Sequence, residues 1–207
     1  MNSTPKSIKK TPRKGGSSRK QQIVKVTLDI IGEYGFKGLT TARIAAGVGI
    51  SEAALYRHFR SKEEILSVTV DTIGMRLMAT INEIISLPLS ALEKLNKIFF
   101  THLEHIQTNR GVPRVMYTSE VHIEEELRIK LYQIIETYLL TVSEIIQVGQ
   151  EEKSIRPDMD SEMGAARFLS MIQFTAFRYS LSNFGETPMK EGVKLWNFFQ
   201  KELAYSA

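Results

Sequence analysis

The sequence predicts an all-α fold of about nine helices, and three observations carry that prediction. Apolar residues recur at spacings of three and four from Arg19 almost to the C-terminus. No segment alternates apolar and polar residues as a half-buried strand does. The periodic runs are bounded by residues that start and stop helices, with Ser, Thr or Asp before them and Gly or Pro after.

The elements follow in order. Residues 1–18 hold Lys, Ser, Thr, Gly and Pro with a single isoleucine, too little apolar surface to offset ordering entropy, so they read as a disordered basic arm. From Arg19, Ile23, Val24, Thr27, Leu28, Ile31 and Tyr34 form one apolar face, and Gly35 ends the helix. Thr40 or Thr41 caps a short second helix with Ile44, Ala45 and Val48 inward; Gly49 then supplies a turn. Ser51 caps a third helix, Glu52 to Phe59. Ser61 caps a fourth that runs to about Ser86, with Glu64 completing a capping box. A fifth spans Leu89 to about Thr108. Asn109, Gly111 and Pro113 mark a loop, and Val115 to Tyr117 a short helix. Glu124 to Gln150, Glu162 to about Asn183 and Met189 to Ala204 complete the set, with Asp160 or Ser161 capping the second of these.

Charge divides the chain unevenly. The net charge is +4 over 207 residues, yet residues 1–62 contain thirteen basic and three acidic side chains, and the remainder carries −6. A basic front on an acidic body fits a polyanionic partner at the front only. There are no cysteines, which excludes disulfides, thiolate zinc sites and a thiol nucleophile. There is no Gly-rich phosphate loop and no GxSxG, so no enzyme and no cofactor are expected. His102 and His105 lie three apart, but no HExxH-like pattern accompanies them, and no metal site is expected. No window is long and apolar enough to span a membrane, and no apolar run follows the N-terminal lysines, so a cytoplasmic location is expected.

The stretch TTARIAAGVGISEAALYRHFRSK, residues 40–62, is the most specific in the chain. Two short helices around a glycine turn, the second with small outer residues, describe a helix-turn-helix. Ala53 and Ala54 keep the second helix narrow enough for a major groove, and their methyls can touch thymine methyls. Arg57 can pair bidentately with guanine or with phosphate. Tyr56 and His58 can donate to phosphate oxygens, and Lys62 sits where unpaired helix N–H groups already favour an anion.

The run TTARIAAGVGISEAALYRHFRSKEEIL closely resembles the DNA-binding domain of the tetracycline-repressor-like (TetR/AcrR) transcriptional regulators, over about residues 20–70. The resemblance implies a homodimer with a helix-turn-helix head at 19–65 and a ligand-binding and dimerisation body at 66–207. It implies phosphate contacts from Thr41, Tyr56, His58 and Lys62, alongside the cap Ser51, and base contacts from Ala53, Ala54 and Arg57. Ala42 stands where some members carry a base-reading arginine, and Arg43 is the substitute. Glu52 reads equally as complement to the helix dipole. The resemblance also places a small-molecule pocket among the body helices, for which His102, Met116, Tyr117, Tyr138, Phe168, Gln173 and Arg178 are the candidates. Arg178 interrupts an apolar helix; an interface ion pair competes with a carboxylate-binding role.

The penultimate helix is apolar nearly all round, more than one core can cover, so a symmetric four-helix interface is expected from Phe174, Phe177 and Leu181 with Trp196 and Phe199 of the last helix. The function expected is a ligand-responsive repressor, bound as a dimer to a pseudo-palindromic double-stranded operator and released by a small apolar or amphipathic molecule. Activation is an equally compatible output. SEAALYRHF also resembles the head of a TetR-like nucleoid-occlusion protein that inhibits cell division, a second role for the same head; no matching body is evident.

Overall fold

The computed structural model describes residues 18–204. The basic arm expected at 1–18 lies outside them except for Ser18, which instead caps the first helix, its hydroxyl accepting from Gln21 N–H in a reciprocal capping box. Ten α-helices and one 3-10 turn, Phe36–Gly38, make up the described fold, with no strand among these residues. They are α1 (Arg19–Tyr34), α2 (Thr41–Val48), α3 (Glu52–Leu55), α4 (Lys62–Ile85), α5 (Ala91–Thr108), α6 (Gly111–Met116), α7 (Ser119–Ile123), α8 (Glu125–Glu151), α9 (Ser161–Leu181) and α10 (Pro188–Leu203).

Where nine helices are expected, the described residues hold ten: α6 begins in the expected loop and overlaps the short helix expected at Val115 to Tyr117, and α7 is the addition. Gly111 and Pro113 fall inside α6, in its first turn, where backbone N–H groups have no helical partner and proline loses nothing. A separate short α7 follows. The third helix is shorter than expected: one turn to Leu55, then turns closed by the N–H groups of His58 and Phe59 on the Leu55 carbonyl. Glu64 does not close a capping box. Ser61 accepts from Glu64 N–H, but the Glu64 carboxylate reaches one residue further back, to Arg60 N–H. It thereby satisfies a backbone donor just ahead of the α4 N-cap.

Two apolar clusters organise the molecule. In the body, Phe99, Tyr138, Phe168, Trp196 and Phe199 interlock at ring separations of 5.5–6.4 Å. In the head, Ile23, Ile31, Ile44, Leu55, Phe59 and Ile65 form a second cluster. That cluster continues without a gap through Val70, Val115, Val121, Leu127 and Leu131. The head is therefore packed onto α6, α7 and the start of α8.

The tightest point of that joint is α1 against α6. A methyl group added at Gly111 would lie 2.2 Å from the Leu28 carbonyl oxygen, and one at Gly32 would lie 2.9 Å from Gly111 N. Backbone meets backbone there, and only glycine permits it. Arg114 of α6 ties the same helices together by donating to the Ile31 carbonyl at 3.1 Å.

Candidate functional site

The first site is the outer face of α2 and α3. Thr40 caps α2 by accepting from Arg43 N–H, and Ser51 caps α3 by accepting from Ala54 N–H at 3.1 Å. Between them Gly49 adopts φ +77°, a left-handed C-cap whose N–H answers the Ala45 and Ala46 carbonyls. Leu55 and Phe59 are buried in the head core, which turns Ala53, Tyr56 and Arg57 outward. Tyr56 is 51 % exposed, although its apolar neighbours are fully enclosed. Ala54 and His58 are half-buried beside them, and Lys62 opens α4 just beyond.

Two further side chains are engaged within the head. Thr41 donates its hydroxyl to the Glu52 carboxylate at 2.7 Å, so Glu52 clasps α2 to α3. Arg43, the expected substitute for a base-reading arginine, donates to the Gly38 carbonyl at 2.8 Å and stacks its guanidinium 4.5 Å from the Tyr34 ring. Its fork is thus held against α1 and the 3-10 turn rather than held free. Gly38 leaves the room this needs, since any Cβ there would meet Tyr34 and Arg43.

The second site is a cavity of about 60 Å3 enclosed by α4, α5, α6, α8 and α9. Its wall is mostly aliphatic: Val70, Ile73, Leu77, Ile106, Ile134, Ile135, Leu169 and Ile172. Five expected residues line it, namely His102, Met116, Tyr117, Tyr138 and Gln173. Two do not. Phe168 points into the aromatic core, fully buried between Phe99, Tyr138 and Trp196. Arg178 faces the surface, where it pairs with Glu191 of α10. One residue of helical rotation on α9 separates the cavity wall at Leu169 from the core at Phe168.

The polar groups of the cavity are few and paired. His102 Nδ1 lies 3.3 Å from the Tyr138 hydroxyl. Burial, with a smaller contribution from His105, lowers the His102 pKa to about 4, so the ring is neutral near pH 7. Burial also raises the Tyr138 pKa, keeping its phenol protonated. The Tyr117 hydroxyl donates to the Gln173 carbonyl at 2.7 Å, and burial pushes it up to about 12. The Tyr117 ring also meets Phe177 edge-on at 5.5 Å, linking the cavity to the outer face of α9.

That outer face is the third site. Phe174, Phe177 and Leu181 are 53 %, 43 % and 69 % exposed on one side of α9. Trp196 and Phe199, expected beside them, are 2 % and 0 % exposed and belong to the protomer's own core. The exposed large apolar residues of α10 are Val193 and Phe198.

A helix-turn-helix head locked onto an all-α body with an apolar cavity defines a DNA-binding, ligand-receiving regulator. The chain belongs to the TetR family: residues 23–69 match the bacterial regulatory proteins of the tetR family, and residues 88–180 match the tetracyclin repressor-like C-terminal domain. Regulators of this family bind DNA as dimers and bind small molecules. Among curated relatives, nucleoid occlusion factor SlmA of Pasteurella multocida is 25% identical over 199 residues, covering 95% of this chain and 100% of its own. The likeness to a nucleoid-occlusion protein thus extends through the body, beyond the head to which the sequence confined it. Among solved structures, FadR from Bacillus subtilis in complex with stearoyl-CoA aligns with a TM-score of 0.75 at 19% identity, covering 88% of this chain and 98% of its own. The ketosteroid regulator KstR2 of Mycobacterium tuberculosis aligns at 0.72 and 19%, covering 93% and 98%. Among the described residues no helix is long and apolar enough to cross a membrane.

Proposed function

We propose that the chain is a cytoplasmic, non-enzymatic repressor that binds a pseudo-palindromic operator as a homodimer and leaves it when an apolar or amphipathic ligand fills the body cavity. The observation that carries this reading is the double duty of α6. It walls the cavity through Val112, Pro113, Val115 and Met116, and its first turn lies backbone-to-backbone on α1 of the head. A ligand larger than the cavity must push α6 outward, and α1 has no room to stay behind. Residues 19–65 then act as a functional unit although their core runs on into the body.

In this reading Ala53, Ala54 and Arg57 face base edges. Tyr56, His58 and Lys62 face phosphates, the Thr41 hydroxyl joins them only on leaving Glu52, and Ser51 holds the helix that carries them. Phe174, Phe177, Leu181, Val193 and Phe198 supply the twofold interface, which sets the two heads one helical turn, about 34–36 Å, apart. The test is selection of genomic fragments on the purified chain, followed by operator-binding titrations with and without decanoate and related amphiphiles. A few promoter-proximal palindromes whose occupancy falls with ligand are expected. Occupancy unchanged by every ligand that binds the body would refute release.

The full-length similarity to nucleoid occlusion factors supports a second reading, in which the same dimer marks many chromosomal sites. Dozens of dispersed sites, indifferent to promoters, would favour it. Bound sites whose genes fall silent on deletion of the chain would favour activation.

A further inference from the structure

A second chamber adjoins the cavity. About 50 Å3 in volume, it is bounded by Thr72 and Arg76 of α4, His105 of α5, Asn109 and, from the head, Leu28 of α1. Ile73, Leu77, His102, Ile106 and Val112 line both chambers, so the partition between them consists of side chains and no backbone layer. Joining them calls for side-chain movement, such as a change of staggered rotamer at Ile73 and Leu77.

The two ends of the joined passage differ in chemistry. The inner chamber is aliphatic, with the His102–Tyr138 pair at its side. The outer chamber carries Arg76, His105, Asn109 and Thr72, and no carboxylate lines it. Thr72 spends its hydroxyl on the Val68 carbonyl, and Asn109 gives its amide to the His105 carbonyl. Arg76 is exposed at the mouth and takes part in none of the ion pairs among the described residues. A guanidinium with no acid beside it, at the end of an apolar passage, is a receptor for an anion attached to an alkyl chain.

We propose that this passage binds a single-chain amphiphile head-outward, its alkyl chain passing His102 into the inner chamber and its anionic head, a carboxylate or a phosphate, resting on Arg76 beside His105. The chain then passes a neutral imidazole, since burial keeps His102 unprotonated. Because Leu28 borders the outer chamber, the bound molecule touches α1 directly. It reaches the DNA-binding head by contact as well as by displacing α6. The proposal rests on the ligand-receiving reading above and assigns the chemistry of its ligand.

The test is calorimetric titration of the full chain with decanoate, decanoyl-coenzyme A and decanol. At least one anionic probe is expected to bind tenfold or more tightly than decanol, the gain of a charge-assisted hydrogen bond. Arg76→Leu, a surface change, is expected to erase that preference while leaving decanol within about twofold. Decanoate ahead of the thioester assigns a carboxylate to Arg76; the reverse assigns a phosphate. Filling the inner chamber with Ile135→Trp, or from the opposite wall with Ala176→Leu, is expected to abolish binding of all three. A preference that survives Arg76→Leu overturns the proposal. Decanol binding as tightly as the anions overturns it too, while the cavity reading stands if the filling variants still block. Failure of all three probes on the unmodified chain overturns both.

Discussion

Replacing Gly111 by alanine tests the joint through which the body acts on the head. The added Cβ would lie 2.2 Å from the Leu28 carbonyl oxygen, 2.9 Å from its carbonyl carbon and 3.1 Å from its Cα. An ordinary carbon–oxygen contact is over 3 Å, so α6 and α1 must separate by about 1 Å, and no side-chain rotation can relieve a clash with backbone. Overpacking a well-filled core costs about 1–3 kcal/mol, and backbone opposition puts this site at about 3. For a chain of this size that corresponds to a fall in Tm of roughly 6–12 °C. Gly164→Ala is the internal control. Its Cβ would meet the Ile146 and Met159 tips at 2.9 and 3.2 Å, flexible ends that can move aside, and alanine gains about 0.5–1 kcal/mol of helix propensity. Differential scanning calorimetry of both variants decides the matter. Equal Tm values for Gly111→Ala and the unmodified chain would show that α1 and α6 are not pressed together. The idea of a mechanical link would then fail with them.

Other perturbations separate the roles of neighbouring residues. Arg57→Ala should lose about 1–3 kcal/mol of discrimination at one base position, measured by competition titration, whereas Arg43→Ala should leave base preference intact because its guanidinium is engaged with Gly38 and Tyr34. Lys62→Ala should weaken binding to all sequences alike and lower the salt slope by about one unit. Leu181→Asp should yield folded monomers in sedimentation runs, while Trp196→Ala, in the protomer core, should cost about 3–5 kcal/mol of stability. His102 predicts a pH effect of definite sign. Its folded pKa of about 4 lies below the unfolded value near 6.5, so above that value it contributes nothing to the pH dependence. Between pH 6.5 and 4 the unfolded chain binds the extra proton, and stability declines by about 3 kcal/mol as the solution is acidified. Denaturant titrations of His102→Gln should show a flatter profile across that window.

The legible part of the sequence was the part whose chemistry is local. Ser51 and Ser61 cap the helices expected of them, and the open pairs Thr40 or Thr41 and Asp160 or Ser161 resolve to Thr40 and Asp160, because a cap involves only residues two or three positions away. Gly49 is left-handed for an equally local reason. What stayed hidden depends on partners distant in the chain. Phe198 and Phe199 are adjacent and both aromatic, yet one is 62 % exposed and the other fully buried. A helix turns 100° per residue, so only the position of α5 and α9 around α10 decides which ring faces the core. The same dependence on neighbouring helices puts Phe168 and Trp196 in the core and turns Arg178 to the surface, away from the cavity wall at Ala176. Gly111 looked like a loop breaker because its actual constraint, the Leu28 backbone, lies 83 positions earlier.

The head alone offers few groups for reading sequence. Thr41 is shared with Glu52, Arg43 is held by Gly38, and Ala42, Ala53 and Ala54 present only methyls. Arg57 is the long polar side chain of the α2–α3 face that is left to reach a base. On the proposed reading, one bidentate contact from Arg57 and a few methyl contacts per head would give modest discrimination, while phosphate contacts from Tyr56, His58 and Lys62 would add affinity without information. Selectivity would then come from requiring two heads at one spacing, which on the proposed reading is set by the α9–α10 interface and by the angle at which α1 leaves α6. A head so sparing in base contacts suits a regulator and a chromosome-marking protein equally. The difference between those roles lies in how rigidly the body fixes the spacing and in what enters the passage beside Leu28 to change it.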